Sequence, residues 1–132
     1  MGAESFVEGL RSLGYAPEHV GAFVVFEYEV ELGPLIGETV RLAFQGLDPF
    51  PATPPGGPCV SPRVLPLRDG STPAPLGAVH AVDANFDPRG EWEYWSRPFQ
   101  GWRAGYGVPE YMTHIRHLFD MLPTDAVQQR TQ

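Results

Sequence analysis

Apolar residues recur at helical spacing near both ends of the chain and in strict alternation between them. Over residues 3–14, Phe6, Val7, Leu10 and Leu13 lie three or four apart with Glu8 and Arg11 facing away, which predicts a short amphipathic helix. Gly14 is placed to end it, because glycine readily takes the left-handed conformation just past a helix. The run AFVVFEYEVEL then predicts a strand, with Val24, Phe26, Tyr28, Val30 and Leu32 on a buried face. Val25, Glu27, Glu29 and Glu31 fall on the opposite, solvent face. After the turn GPLIGE, the run TVRLAFQ places Val40, Leu42 and Phe44 inward, and the two strands are expected to pair antiparallel. The acidic row has two readings: a solvated face, or a docking surface for a basic partner.

From Gly46 to Leu76 prolines interrupt any regular element, because each fixes its backbone dihedral and removes an amide donor. Within that region CVSPRVLPL predicts a short edge strand, and GAVHAV a brief β-prone segment after it. DANFDPRGEWEYWSRPFQGW follows, with all three tryptophans and no sustained periodicity, and is expected to be an irregular aromatic loop. In VPEYMTHIRHLFDMLPTD, Tyr111, Met112, Ile115, Leu118, Phe119 and Leu122 form one helix face. Pro109 and Glu110 suit its first turn and Pro123 its end. The expected layout is α+β, with two helices against one sheet, in a single domain over 1–123 and a frayed polar tail over 124–132.

Composition narrows the function classes. The 132 residues, 42% of them hydrophobic, suffice for a core without metal or disulfide support. No apolar run reaches the roughly 18–20 residues that span a bilayer, and the N-terminus lacks the basic start of a secretory signal. A cytoplasmic protein with no membrane contact is therefore the expectation, and the single cysteine, Cys59, agrees with a reducing compartment. The net charge of −7 argues against nucleic-acid binding, which needs clustered basic groups. All nine basic residues are arginine. A GC-rich genome explains that; so does a chain that must offer no side-chain amine for modification.

Few residues carry obvious chemistry. His114 and His117 lie three apart on the C-terminal helix, whereas the common zinc signature spaces its histidines four apart, so no metal or other cofactor is expected. His80 lies upstream. Cys59 would need a base or cation to become a nucleophile; the sequence sets none beside it, and Arg63 or His80 would have to approach it in space. Glu91 and Glu93 share a face if the chain is extended there. Trp92, Tyr94, Trp95, Phe99 and Trp102 serve either as binding anchors or as the cover of a sheet edge.

Two local patterns add a resemblance. PFPATPP, Pro49 to Pro55, is similar to the Tyr-Pro-x-x-Pro-Pro turn of ubiquitin-conjugating enzymes, with Phe50-Pro51 and Pro54-Pro55 in matching places. DANFDPRGEWE resembles that family's His-Pro-Asn segment, with Asn85 as the asparagine, Phe86 as the apolar residue after it and Gly90 five after Asn85. WSRP, Trp95 to Pro98, echoes a downstream family motif. The resemblance implies a UBC-like fold: N-terminal helix, four-stranded antiparallel meander, proline-rich insertion around 56–79, aromatic loop and C-terminal helix. It also implies a departure, because the catalytic cysteine belongs eight after the asparagine and Glu93 stands there. The implied protein is a divergent bacterial member that binds or scaffolds without carrying cargo. Its partners would be the ubiquitin-like protein or activating enzyme of the same operon. Asn85 keeps the family's catalytic-loop position, and Glu93, Trp92, Tyr94, Trp95 and Trp102 form the remodelled binding loop. The alternatives are an active conjugating enzyme with Cys59 as thioester nucleophile and an unrelated α+β interaction domain.

Overall fold

Two amphipathic helices close one face of a six-stranded antiparallel sheet in the computed structural model, which describes residues 2–65 and 78–123. Helix α1, Gly2–Ser12, buries Phe6, Val7 and Leu10 as its stripe requires. Leu13, expected on the same stripe, is 45% exposed. The Leu13 and Tyr15 amides both donate to the Leu10 carbonyl, so the chain has left the helix before Leu13 reaches the buried side.

A short strand β1, Glu18–Val20, pairs with β2, Phe23–Glu29, which pairs in turn with β3, Thr39–Phe44. The register sets Phe26 against Leu42 and Tyr28 against Val40, so the predicted inward residues share one core with both helices. Val25 departs from its expected solvent position. It is buried on the other face with Phe23, Ala43, Cys59 and Trp92, because a later loop folds over that half of the sheet. Leu32, expected inward, lies past the end of β2 in the hairpin turn and is exposed.

Strand β4, Cys59–Ser61, is interior rather than the expected edge strand. Pro58 and Pro62 flank it, so their missing amides fall outside the strand, and the Pro58 carbonyl still accepts the Trp95 amide at 2.9 Å. The segment expected to be irregular contains β6, Glu93–Trp95, which pairs with β4. Strand β5, Val79–His80, pairs with β6 at the outer edge. The sheet order is β1-β2-β3-β4-β6-β5. Four strands thus run as a meander in chain order, and two more extend it out of order. Residues 66–77 of the expected insertion and the expected tail, 124–132, lie outside the described residues.

Helix α2, Val108–Asp120, buries Tyr111, Met112, Ile115, Leu118 and Phe119, as its spacing predicts. Its first turn is closed by Glu110, whose carboxylate accepts the Gly107 amide at 2.7 Å. The proline turn over 49–55 ties the two helices to the sheet. Phe50 packs edge-on against Phe6 at 5.3 Å, the Phe50–Pro51 bond is cis, and the Tyr111 hydroxyl donates to the Gly56 carbonyl. No helix among the described residues is long and apolar enough to cross a membrane.

Candidate functional site

Side chains alternate across a strand, so the segment Trp92–Trp95 divides the predicted site residues between two faces of the sheet. Trp92 and Tyr94 point to the outer face, where they pack with Val25, Ala43 and Cys59. Glu93 and Trp95 point inward, toward the helices, and both are fully buried. The expected constellation is therefore not one surface.

Glu93 is the residue whose surroundings say most. Its carboxylate accepts the Val64 amide at 3.0 Å, the Leu65 amide at 3.0 and 3.2 Å and the Trp95 indole N–H at 2.7 Å. The Arg63 guanidinium lies 3.8 Å away. Glu91, expected to share its face, is exposed on the loop before β6. Burial pushes the Glu93 carboxyl above its ordinary value, against the opposing pull of the Trp95 indole, the two amides and Arg63. Glu93 thus fastens the chain leaving β4 to the strand beside it. It presents no group to solvent.

The outer face is covered by the loop between β5 and β6, and local hydrogen bonds give that loop its shape. The Asp83 carbonyl accepts the Phe86 and Asp87 amides, and the Asp83 carboxylate accepts the Asn85 amide at 3.2 Å. Asp87, buried, accepts the Glu91 amide at 2.8 Å and the Trp92 amide at 3.0 Å. Gly90 takes a φ of 69° in the turn between them, a conformation that favours glycine. Phe86 stacks on Phe23 at 4.0 Å and leans on Trp92, whose other neighbour is the Arg41 guanidinium 5.2 Å from the ring centre. Asn85 itself is exposed. Asp87 escaped the sequence reading, although Asp-Pro followed by glycine is a turn signature in which the aspartate caps backbone amides.

Between this loop and the sheet lies a cavity of about 260 Å³ floored by Ala43, Cys59 and Tyr94 and walled by Gly57, Val82 and Asp83. The structure brings Cys59 and Tyr94 together here, in register on adjacent strands. His80 stacks on the far side of Tyr94, with ring centres 6.3 Å apart. Cys59 is only 4% exposed, and burial, reinforced by the Asp87 carboxylate, pushes its thiol up to about 12. A thiol so placed is almost wholly protonated at neutral pH, and the thiolate is the nucleophile. Arg63, the cation considered for it, is directed at Glu93 instead. Cys59 in the folded protein is accordingly expected to resist iodoacetamide at pH 8 and to react at once in urea. Rapid native alkylation would contradict the buried geometry.

The remaining aromatics belong to a third place. Trp102 packs against Phe50, Phe99 and Tyr106, and its indole donates to the Pro51 carbonyl at 2.9 Å, so it joins the loop before α2 to the proline turn. His114 sits beside Phe99 and Tyr111 with its Nε2 2.9 Å from the Arg97 carbonyl, and burial lowers its pKa. His117 is exposed. Among the described residues no group of three or more histidine, cysteine or carboxylate side chains is placed to hold a metal ion. Compared with protein-family models, with curated proteins and with solved structures, the chain matches none.

Proposed function

We propose that the chain is a ubiquitin-conjugating-enzyme-like domain that acts as a non-catalytic binding or scaffold subunit of a bacterial ubiquitin-like conjugation system. The order of elements supports the reading: a helix, a meander from β1 to β4, the Phe50–Pro55 turn between β3 and β4, and a helix behind the sheet. The observation that carries the non-catalytic part is Glu93. It occupies the position where the resemblance puts the thiol, and its carboxylate is buried and engaged by backbone and indole N–H groups. A carboxylate so held has no route to thioester exchange, which requires an accessible thiolate. Cys59, the other candidate, is screened by burial and by its raised pKa.

The test uses the purified chain, ATP, and the ubiquitin-like protein and activating enzyme that the proposal places in the same operon. Non-covalent co-elution with one of them, and no adduct on this chain that a reductant removes, is the expected result. A reducible adduct lost in Cys59→Ala, with folding intact, would instead establish Cys59 as the nucleophile and overturn the scaffold reading. Absence of any association with either protein would overturn the proposed partners.

A further inference from the structure

Among the described residues, one edge of the sheet is left open by the way the chain enters it. The Val30 amide donates to the Glu38 carbonyl and the Val30 carbonyl accepts the Gly37 amide, so Val30 faces β3. Backbone groups alternate along a strand, so Tyr28 and Phe26 also face β3, and Val25, Glu27 and Glu29 face the opposite side. On that side β1 pairs only with Phe23–Val25. Continuing its register would set Ala16 against Glu27 and Gly14 against Glu29. The chain cannot do this. The Gly14 amide, which that register would direct at Glu29, is bonded instead to the Arg11 carbonyl, and the Tyr15 amide turns back to Leu10 of α1. Among the described residues the Glu27 and Glu29 main chain therefore has no strand partner along this edge.

A cavity of about 480 Å³ fills the place of the missing strand, between Gly14, Tyr15 and Ala16 on one side and Glu27 on the other. We propose that it receives an extended basic peptide segment, which adds as a strand along Glu27–Glu29 in line with β1. The charge pattern selects that occupant. Glu27 and Glu29 project from the exposed face of β2, and Glu18 borders the same cavity. Two cations nearby have partners of their own: Arg116 pairs with Glu31 at 3.2 Å, and Arg41, the register partner of Glu27, borders the cavity but lies over Trp92. An added residue opposite Glu27 or Glu29 points its side chain to the same acidic face, and the residue between them lies opposite Tyr28, on the face where the Tyr15 ring packs. The chemistry recognised is thus basic–apolar–basic in an extended chain, with main-chain pairing for affinity and alternate side chains for selection. The same carboxylates keep acidic or neutral edges from pairing there.

This edge is independent of the function proposed above, and so is its test. The isotope-labelled full chain is titrated with a capped hexapeptide of alternating arginine and valine, and backbone amide shifts are followed. Shifts centred on Glu27, Glu29 and Gly14–Ala16 are expected. Methylating the arginine amide nitrogens keeps every charge but removes the N–H groups that face the edge, and should abolish binding. The double variant Glu27→Gln, Glu29→Gln, on exposed positions, should bind about tenfold more weakly. Undiminished binding of the methylated peptide, equal binding of an alternating glutamate–valine peptide, shifts centred elsewhere, or no binding at millimolar peptide would each overturn the assignment.

Discussion

Glu93→Ala is expected to remove about 3–5 kcal/mol of stability, a large part of the roughly 5–15 kcal/mol that holds a domain of this size together. The loss comes from what is left behind. The Val64 and Leu65 amides and the Trp95 indole would keep their buried positions with no acceptor, and each unpaired donor costs about 1–3 kcal/mol. Glu93→Gln should cost less, about 1–2 kcal/mol, because one oxygen can still stand where Oε2 accepts all three donors. The two variants also separate on pH. Burial raises the folded-state pKa of Glu93, so the native protein holds that proton more tightly than the unfolded chain, whose carboxyl sits near 4.5. Its contribution is complete below that value and is lost as pH rises through the higher folded value. The glutamine variant should lack this part of the profile. Urea midpoints measured from pH 4 upward would check both statements, and an alanine variant within about 1 kcal/mol of the parent would remove the case for a buried clamp.

Gly57→Ala is the second large effect, at about 3 kcal/mol or more, from steric overlap together with a lost main-chain hydrogen bond. A methyl group at Gly57 would sit 1.8 Å from the Trp95 carbonyl oxygen and 2.9 Å from the Arg97 amide nitrogen. Both are backbone atoms, so no side chain can swing aside, and the bond from the Trp95 amide to Pro58 would have to open. Gly56 provides the comparison. A methyl group there meets only the Tyr94 hydroxyl at 3.7 Å, an ordinary contact. Thermal melting should therefore place Gly56→Ala within a few degrees of the parent and Gly57→Ala about 10 °C or more below it. Equal melting of the two would mean that β4 and β6 do not approach as closely as described.

Both predictions concern the same seam, where β4 and β6 meet, and this seam gives the aromatic segment its meaning. The tryptophans concentrated in one stretch do not converge on one site. Trp92 roofs the outer face under Arg41, Trp95 fills the inner core beside Phe119, and Trp102 joins two loops near Phe50. Their shared role is to hold a short strand and its flanking loops on both sides of a sheet. A cavity remains beside Tyr94, and it is small-floored because Ala43 and Cys59 lie beneath it.

The elements with the longest periodic signal were legible from residues alone. Both helices and the β2–β3 pair follow from the recurrence of Phe6 to Leu10, Tyr111 to Phe119 and Val24 to Phe44, because burial on one face needs only local repetition. The buried side of Val25 was not legible: it depends on Phe86 and Trp92 arriving from 61 and 67 residues along the chain to cover it. Strands of three residues, such as β4 and β6, are too short to display alternation, and prolines beside β4 argue locally for an edge. Their interior place is decided by partners, since Pro58 and Pro62 matter only to the amides that a neighbour would need. The sequence by itself could place a glutamate eight residues after Asn85 and a row of glutamates on β2. Only the tertiary structure decided that Glu93 turns inward to three N–H donors while Glu27 and Glu29 stand along an edge that no other described residue pairs. A carboxylate's role is set by the donors and solvent around it, and those come from distant parts of the chain.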